Sequence, residues 1–204
     1  MLDRVAIELL RPGLTAGARG LARLGLKADQ VTLAGFTIGM AAALAIATQH
    51  PLLGLAGVAL SRLCDGLDGA LARLTHATDR GAFLDIALDF VFYANIPLAF
   101  ALADPAANAL AAALLLGAFV GTTSTFLAFA VVAAQRGLKS TAFPSKGIYY
   151  LGGLTEATET LTCFALMCLW PRLFTPLALV FAALCVLTTA TRLWAGWAIF
   201  SDPR

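Results

Sequence analysis

Asp65-Gly66-Leu67-Asp68-Gly69-Ala70-Leu71-Ala72-Arg73, followed after residues 74–80 by Gly81-Ala82-Phe83-Leu84-Asp85-Ile86-Ala87-Leu88-Asp89, sets four carboxylates into two adjoining apolar runs. Runs of this length read as membrane helices, because a hydrocarbon core of about 30 Å takes about 20 residues at 1.5 Å each. At helical spacing, Asp65, Asp68, Gly69 and Ala72 share one face of the first helix, and Gly81, Asp85 and Asp89 share one face of the second. The linking turn is short, so the two helices are expected to be antiparallel neighbours whose acidic faces meet.

Working outward, the 204 residues are 60% hydrophobic and only 13% charged, too little charge to cover a soluble domain of this size. Six apolar stretches are expected as spans, at roughly 31–49, 52–73, 81–103, 107–134, 147–169 and 173–200. The breaks fall at His50-Pro51, Arg73 to Arg80, Asp104-Pro105, Arg136 to Lys146 and Trp170-Pro171. No strand pattern competes, and no internal repeat is visible. The expected fold is an all-α integral membrane protein with six transmembrane helices, preceded by an N-terminal amphipathic interfacial helix. Residues 1–28 form that juxtamembrane helix, and residues 29–204 form one membrane domain.

In the N-terminal segment Arg4, Glu8, Arg11, Thr15, Arg19 and Arg23 fall on one face, while Ile7, Leu10, Leu14, Ala18 and Leu21 fall on another. Its arginines suit an anionic cytoplasmic leaflet, and Pro12-Gly13 is expected to bend or break it. No signal-peptide cleavage pattern follows. Counted over alternate loops, Lys and Arg collect on one side, with only Arg172 on the other, so both termini are expected in the cytoplasm. Arg62 and Arg192 remain inside spans, where a charge requires a partner. The formal net charge of +2, with no basic run interleaved by aromatics, argues against nucleic acid. Cys64, Cys163, Cys168 and Cys185 lack paired metal-site spacing and read as free thiols packed among helices.

Four carboxylates gathered in apolar surroundings repel one another, so a compensating cation is required. Oxygen-only ligands favour Mg²⁺ or Mn²⁺ over zinc. Pairing with Arg62, about one turn from Asp65, is the alternative, but one arginine cannot neutralise four aspartates. Asp65 and Asp68 lie about 8–12 Å along the helix from Arg73, just below the cytoplasmic interface, a depth that suits a lipid headgroup. Gly69 and Ala72 remove bulk beside the acids, for a substrate diphosphate or for a neighbouring helix. Arg73 either clamps phosphate or marks the cytoplasmic boundary.

These residues closely resemble the signature of the CDP-alcohol phosphotransferase family, D-x-x-D-G-x-x-A-R, a spacer, then G-x-x-x-D-x-x-x-D. Asp65, Asp68, Gly69, Ala72, Arg73, Gly81, Asp85 and Asp89 supply every fixed residue, with a spacer about one residue shorter than usual. The resemblance implies that Asp65, Asp68, Asp85 and Asp89 hold two divalent ions across the diphosphate of a CDP-linked lipid, with Asp89 as the base that deprotonates an alcohol. It implies CMP as leaving group, a phosphodiester lipid as product, and Gly69, Ala72, Arg73 and Gly81 as donor-binding positions. Lys27-Ala28-Asp29-Gln30-Val31-Thr32-Leu33 resembles the family's Pro-Asn-x-x-Thr segment with only Thr32 retained, which makes Thr32 a further donor-binding residue. Asp29 is alternatively read as the cap of the first spanning helix.

For the acceptor, Arg136, Lys139, Lys146 and Arg192 could bind a phosphorylated alcohol such as glycerol phosphate, or could be ordinary membrane anchors. Glu156 and Glu159 share a helix face and could contact a polyol or amino headgroup, or pair with Arg192. Thr155-Glu156-Ala157-Thr158-Glu159-Thr160 lacks the arginines found near this point in inositol-phosphate-using relatives, which argues against that acceptor. His50 and His76 show no metal-ligand spacing. The expected partners are a CDP-linked lipid (CDP-diacylglycerol first), a small polar alcohol and membrane lipids, with a homodimer left open. The expected location is a bacterial or archaeal cytoplasmic membrane, with the active site facing the cytoplasm. A membrane cation transporter or proton relay using the intramembrane carboxylates is the alternative, although such a pathway should spread its polar groups through the bilayer.

Overall fold

Proline and short polar side chains set the helix starts. Pro51 and Pro105 occupy first turns, where a missing N–H costs nothing. Thr78 Oγ1 accepts from Gly81 N at 3.0 Å, and Asp104 Oδ1 accepts from Ala107 N at 3.1 Å. The computed structural model describes residues 2–138 and 153–201, with side chains from residue 9 onward. In order these form α1 (Leu2–Arg23), α2 (Ala28–Ala47), α3 (Pro51–Leu74), α4 (Asp79–Ala103), α5 (Pro105–Gln135), α6 (Ala157–Leu169), a 3-10 turn (Pro171–Leu173) and α7 (Phe174–Ile199). Among the described residues there is no strand.

Among the described residues, four segments are long and apolar enough to cross a membrane: α2, α4, α5, and α7 with its leading 3-10 turn. α3 has 24 residues, enough length to span, but carries Arg62, Asp65, Asp68 and Arg73. α6 has 13 described residues, and the expected span at 147–169 begins outside the described part of the chain. The exterior carries leucine and valine at high exposure, such as Leu44, Leu110 and Val120, as a lipid-facing surface does. Trp170 lies at one end of the last hairpin and Trp194 and Trp197 near the other, all exposed, as aromatic anchors at two interfaces are.

Glycine decides how the helices pack. A Cβ on Gly35 would lie 2.7 Å from Cys64 Cβ, and one on Gly39 would lie 2.7 Å from Phe92 Cδ2. α2 therefore fits closely against both α3 and α4. The expectation that α3 and α4 are direct neighbours is corrected accordingly. They have little backbone contact, while α2 packs against both, and they meet through side chains across a cleft. The main core lies among α2, α4, α5, α6 and α7, around Ile46, Phe92, Ile96, Leu115, Phe164 and Met167. Phe100 and Phe174 stack there at 4.7 Å between centroids.

A smaller core, Ala18 with Val31, Ala70 and Leu71, docks α1 onto α3. The apolar face expected for α1 is present at Leu14, Ala18 and Leu21, whereas Leu10 is exposed. Of the bend or break expected at Pro12, a break is absent: α1 runs through it. Pro12 is exposed, so the backbone bond it removes can be replaced by water or headgroups. The cysteines are free thiols, with Cys163, Cys168 and Cys185 buried and Cys64 half-buried, as expected.

Candidate active site

The acidic turns of α3 and α4 face each other at the ends where the 74–80 connection joins them. Asp65, Asp68 and Asp85 each offer a carboxylate oxygen, and these oxygens lie within 4.8 Å of one another. Asp68 is only 4% exposed, and its Oδ2 is buried without a hydrogen-bond partner. A buried carboxylate oxygen left this way is costly unless a cation satisfies it. Three converging carboxylates with one such oxygen fit a hard divalent ion, Mg²⁺ or Mn²⁺. Thr32, Gly35, Phe36, Ser61, Arg62, Leu88 and Asp89 complete the wall of the cavity, whose interior admits the centre of a water-sized particle over about 10 Å³. That is room for about one water or ion.

Asp89 lines the cavity but stands outside the converging set. Its Oδ1 accepts from Arg62 Nη1 at 2.5 Å, and the same nitrogen lies 3.5 Å from Asp65 Oδ1. The Arg62–Asp65 pairing considered from sequence is thus present, but the tighter bond reaches across to α4. Spacing along α3 revealed the first contact. The second depends on the register between two helices, which local periodicity does not encode.

Arg73 is exposed and folds back along α3, its Nη1 lying 3.5 Å from where a Cβ on Gly69 would sit. Gly69 and Ala72 therefore keep the rim beside Asp68 low, with a guanidinium over it. Thr32 is on the cavity wall, its Oγ1 donating to Ala28 O at 3.1 Å.

Asp29 does not cap α2. The cap position is Lys27, whose N–H donates to Gln30 Oε1 at 2.9 Å. Asp29 Oδ2 instead accepts from Arg80 Nε at 2.9 Å and Nη2 at 2.5 Å, tying the start of α2 to the start of α4. This pair also crowds position 81. A Cβ there would lie 3.1 Å from both Asp29 Oδ1 and Thr78 Oγ1. Gly81→Ala is expected to push these groups apart and weaken the α4 cap by about 1 kcal/mol. If Gly81 also lines the donor pocket, its donor KM should rise by up to about tenfold, with kcat changing less. Steady-state kinetics with varied donor reads this directly, and an unchanged KM contradicts it.

The expected acceptor residues are gathered only in part. Arg192 is buried on α7, where its Nη1 donates to Thr122 O of α5 at 3.0 Å, and a Cβ on Gly153 would lie 3.1 Å from its Nη2. Glu156 Oε1 accepts from Gly153 N, and Glu159 Oε2 accepts from Glu156 N, each at 3.1 Å, so both glutamates organise the first turn of α6. Arg136 Nη2 donates to Phe200 O at 3.1 Å, and its guanidinium lies 5.3 Å from the Phe200 ring centroid, which anchors the end of α5 to that of α7. Lys139 and Lys146 lie outside the described residues.

The family model described as CDP-alcohol phosphatidyltransferase matches residues 26–199, a stretch that contains both acidic turns. The chain belongs to the CDP-alcohol phosphatidyltransferase family. It is 49% identical over 197 residues to the inner membrane protein YnjF of Escherichia coli, covering 97% of this chain and 96% of that protein. It is 34% identical over 103 residues to archaetidylinositol phosphate synthase of Pyrococcus horikoshii, covering 50% of this chain and 54% of that one. Among solved structures it resembles phosphatidylinositol phosphate synthase (PgsA1) of Mycobacterium tuberculosis. The form with CDP-DAG bound aligns at TM-score 0.65 and 27% identity, over 90% of this chain and 93% of that one. The complex with manganese and citrate aligns at TM-score 0.71 and 26% identity, over 90% and 88%.

As a CDP-alcohol phosphatidyltransferase, the chain is a metal-dependent enzyme of phospholipid synthesis that acts on a CDP-linked lipid donor and an alcohol acceptor. Family membership thereby places the chain among group-transfer enzymes and not among cation transporters.

Proposed function

We propose that this enzyme transfers a phosphatidyl group from CDP-diacylglycerol to a small polar alcohol bearing an anionic group, with glycerol phosphate the simplest case. The observation that carries the reading is the convergence of Asp65, Asp68 and Asp85 around the unpartnered Asp68 Oδ2. The donor is supported by the CDP-DAG-bound form of the mycobacterial synthase. A phosphorylated acceptor is supported by buried Arg192. The relatives named as inositol phosphate synthases favour an inositol phosphate acceptor, but the segment from Thr155 to Thr160 has no arginine.

In this reading Asp65, Asp68 and Asp85 hold the divalent cation. When bound, it neutralises charge on the donor diphosphate and so favours attack at phosphorus. Arg73, over Gly69, binds phosphate at the rim, and Thr32 and Ala72 line the nucleotide side. Asp89 takes the hydroxyl proton of the acceptor as its oxygen bonds to phosphorus. The phosphorus–oxygen bond to CMP breaks, and CMP leaves with the electron pair.

Supplying labelled CDP-diacylglycerol with glycerol phosphate, inositol phosphate, inositol, serine and water as acceptors, then identifying the lipid formed, tests the acceptor class. A lipid carrying a second phosphate on its headgroup is expected. Product only with an uncharged alcohol overturns the anionic acceptor.

The same reading has six spans, both termini in the cytoplasm of a bacterial inner membrane, and α1 on the cytoplasmic surface as a juxtamembrane element. It is supported by the Lys and Arg distribution and by the inner membrane relative. With Cys64, Cys163, Cys168 and Cys185 replaced by Ala, single cysteines at Ala106 and Leu138 are expected to label from opposite sides of the membrane. Labelling from one side contradicts this topology.

A further inference from the structure

Two divalent ions are what the family resemblance implies, yet the cavity already contains a cation of the chain's own. Arg62 is part of its wall, and Nη1 bridges Asp89 Oδ1 at 2.5 Å and Asp65 Oδ1 at 3.5 Å. The guanidinium thus stands between one carboxylate of α3 and one of α4.

It is not a surface group free to swing away. The Arg62 side chain is 14% exposed. Its Cζ lies 4.1 Å from the centroid of Phe92, a fully buried ring, and 5.7 Å from that of Tyr93. Nη2 donates to Ser61 Oγ at 3.3 Å. Arginine keeps its charge in such surroundings, is weakly hydrated, and stacks favourably on aromatic faces. A divalent ion placed between the same two carboxylates would sit within a few ångströms of this fixed positive charge and be repelled by it.

The other acids are arranged differently. Asp65, Asp68 and Asp85 converge, and Asp68 Oδ2 is buried and unpartnered. The site therefore has one seat for an external cation and one seat filled by the protein.

We infer that Arg62 is a positioning residue that takes the place of the second ion. The enzyme uses one divalent cation, held by Asp65, Asp68 and Asp85. Arg62 holds Asp89 through Oδ1 and leaves Oδ2 for the acceptor proton. This inference rests on the phosphatidyl-transfer reading of the same site.

The test is a Mn²⁺ titration of the full chain in detergent, with free Mn²⁺ followed by electron paramagnetic resonance, in the absence and in the presence of CDP. One Mn²⁺ per chain is expected in both conditions. Asp89→Asn is expected to change the Mn²⁺ Kd by less than about threefold, well below the 10–100-fold cost typical of disturbing a ligand. Arg62→Met vacates the second seat and is expected to raise the count to two. A wild type that binds two ions, an Asp89→Asn variant outside that threefold limit, or a folded Arg62→Met variant still binding one overturns the inference. Should Arg62→Met not fold, the first two measurements decide it. No Mn²⁺ binding by the wild type would remove the metal site itself, and with it the phosphatidyl-transfer reading.

Discussion

Asp89→Asn is expected to lower CMP release by about 10²–10⁴-fold, the usual cost of losing a positioned base, while CDP-lipid binding persists. Asparagine keeps the size of the side chain and one carbonyl oxygen, so the wall of the cavity stays in place. Its amide cannot take a hydroxyl proton near neutral pH. The bond from Arg62 can re-form to the amide oxygen, though without the charge of the present contact. In the proposed reading, donor binding depends on the converging carboxylates and the rim around Gly69 and Arg73, which this substitution leaves untouched. CMP release with a working acceptor, measured beside donor binding in one detergent preparation, separates the two effects. Near wild-type release removes Asp89 as the base, and collapse of donor binding recasts it as a ligand.

Asp65→Asn and Asp85→Asn are expected to weaken divalent-metal and CDP-lipid binding together, each by at least about 10–100-fold, the range seen when even a residue supporting a ligand is lost. Each belongs to the set of three oxygens within 4.8 Å, and losing one leaves two carboxylates to hold a hard cation. In the proposed reading the donor follows the metal, because the diphosphate and the aspartates offer oxygens to the same ion. Isothermal titration of metal, then of donor at saturating metal, reads both. Unaltered metal affinity in both variants contradicts the ligand assignment.

Much of this architecture was legible in the sequence, for reasons that differ from one residue to the next. The positions of Asp65, Asp68 and Asp85 on their helix faces follow from a period of 3.6, and the breaks at Pro51 and at Asp104-Pro105 follow from capping chemistry. What lies between helices was less legible. α2 packs tightly on both α3 and α4 because Gly35 and Gly39 admit the close approach, and no spacing within α3 or α4 announces that. Arg62 to Asp89 and Arg80 to Asp29 are contacts between residues far apart in the chain, set by helix register. Glu156 and Glu159 stood out as intramembrane charges, but their spacing of three is that of a helix start, and each accepts a backbone N–H there. The acceptor residues were the least legible, since a cationic side chain near an interface serves a phosphate or a membrane anchor equally well.

The most direct measurement of the central claim counts CMP and new phosphodiester lipid in one reaction of purified protein with CDP-diacylglycerol and the acceptor panel. It is run with Mg²⁺ or Mn²⁺ and again after chelation. Metal-dependent transfer predicts CMP and lipid product in equal amounts, lost on chelation and restored by either ion. CMP without a matching lipid product, or transfer that continues undiminished in the chelated enzyme, would contradict it.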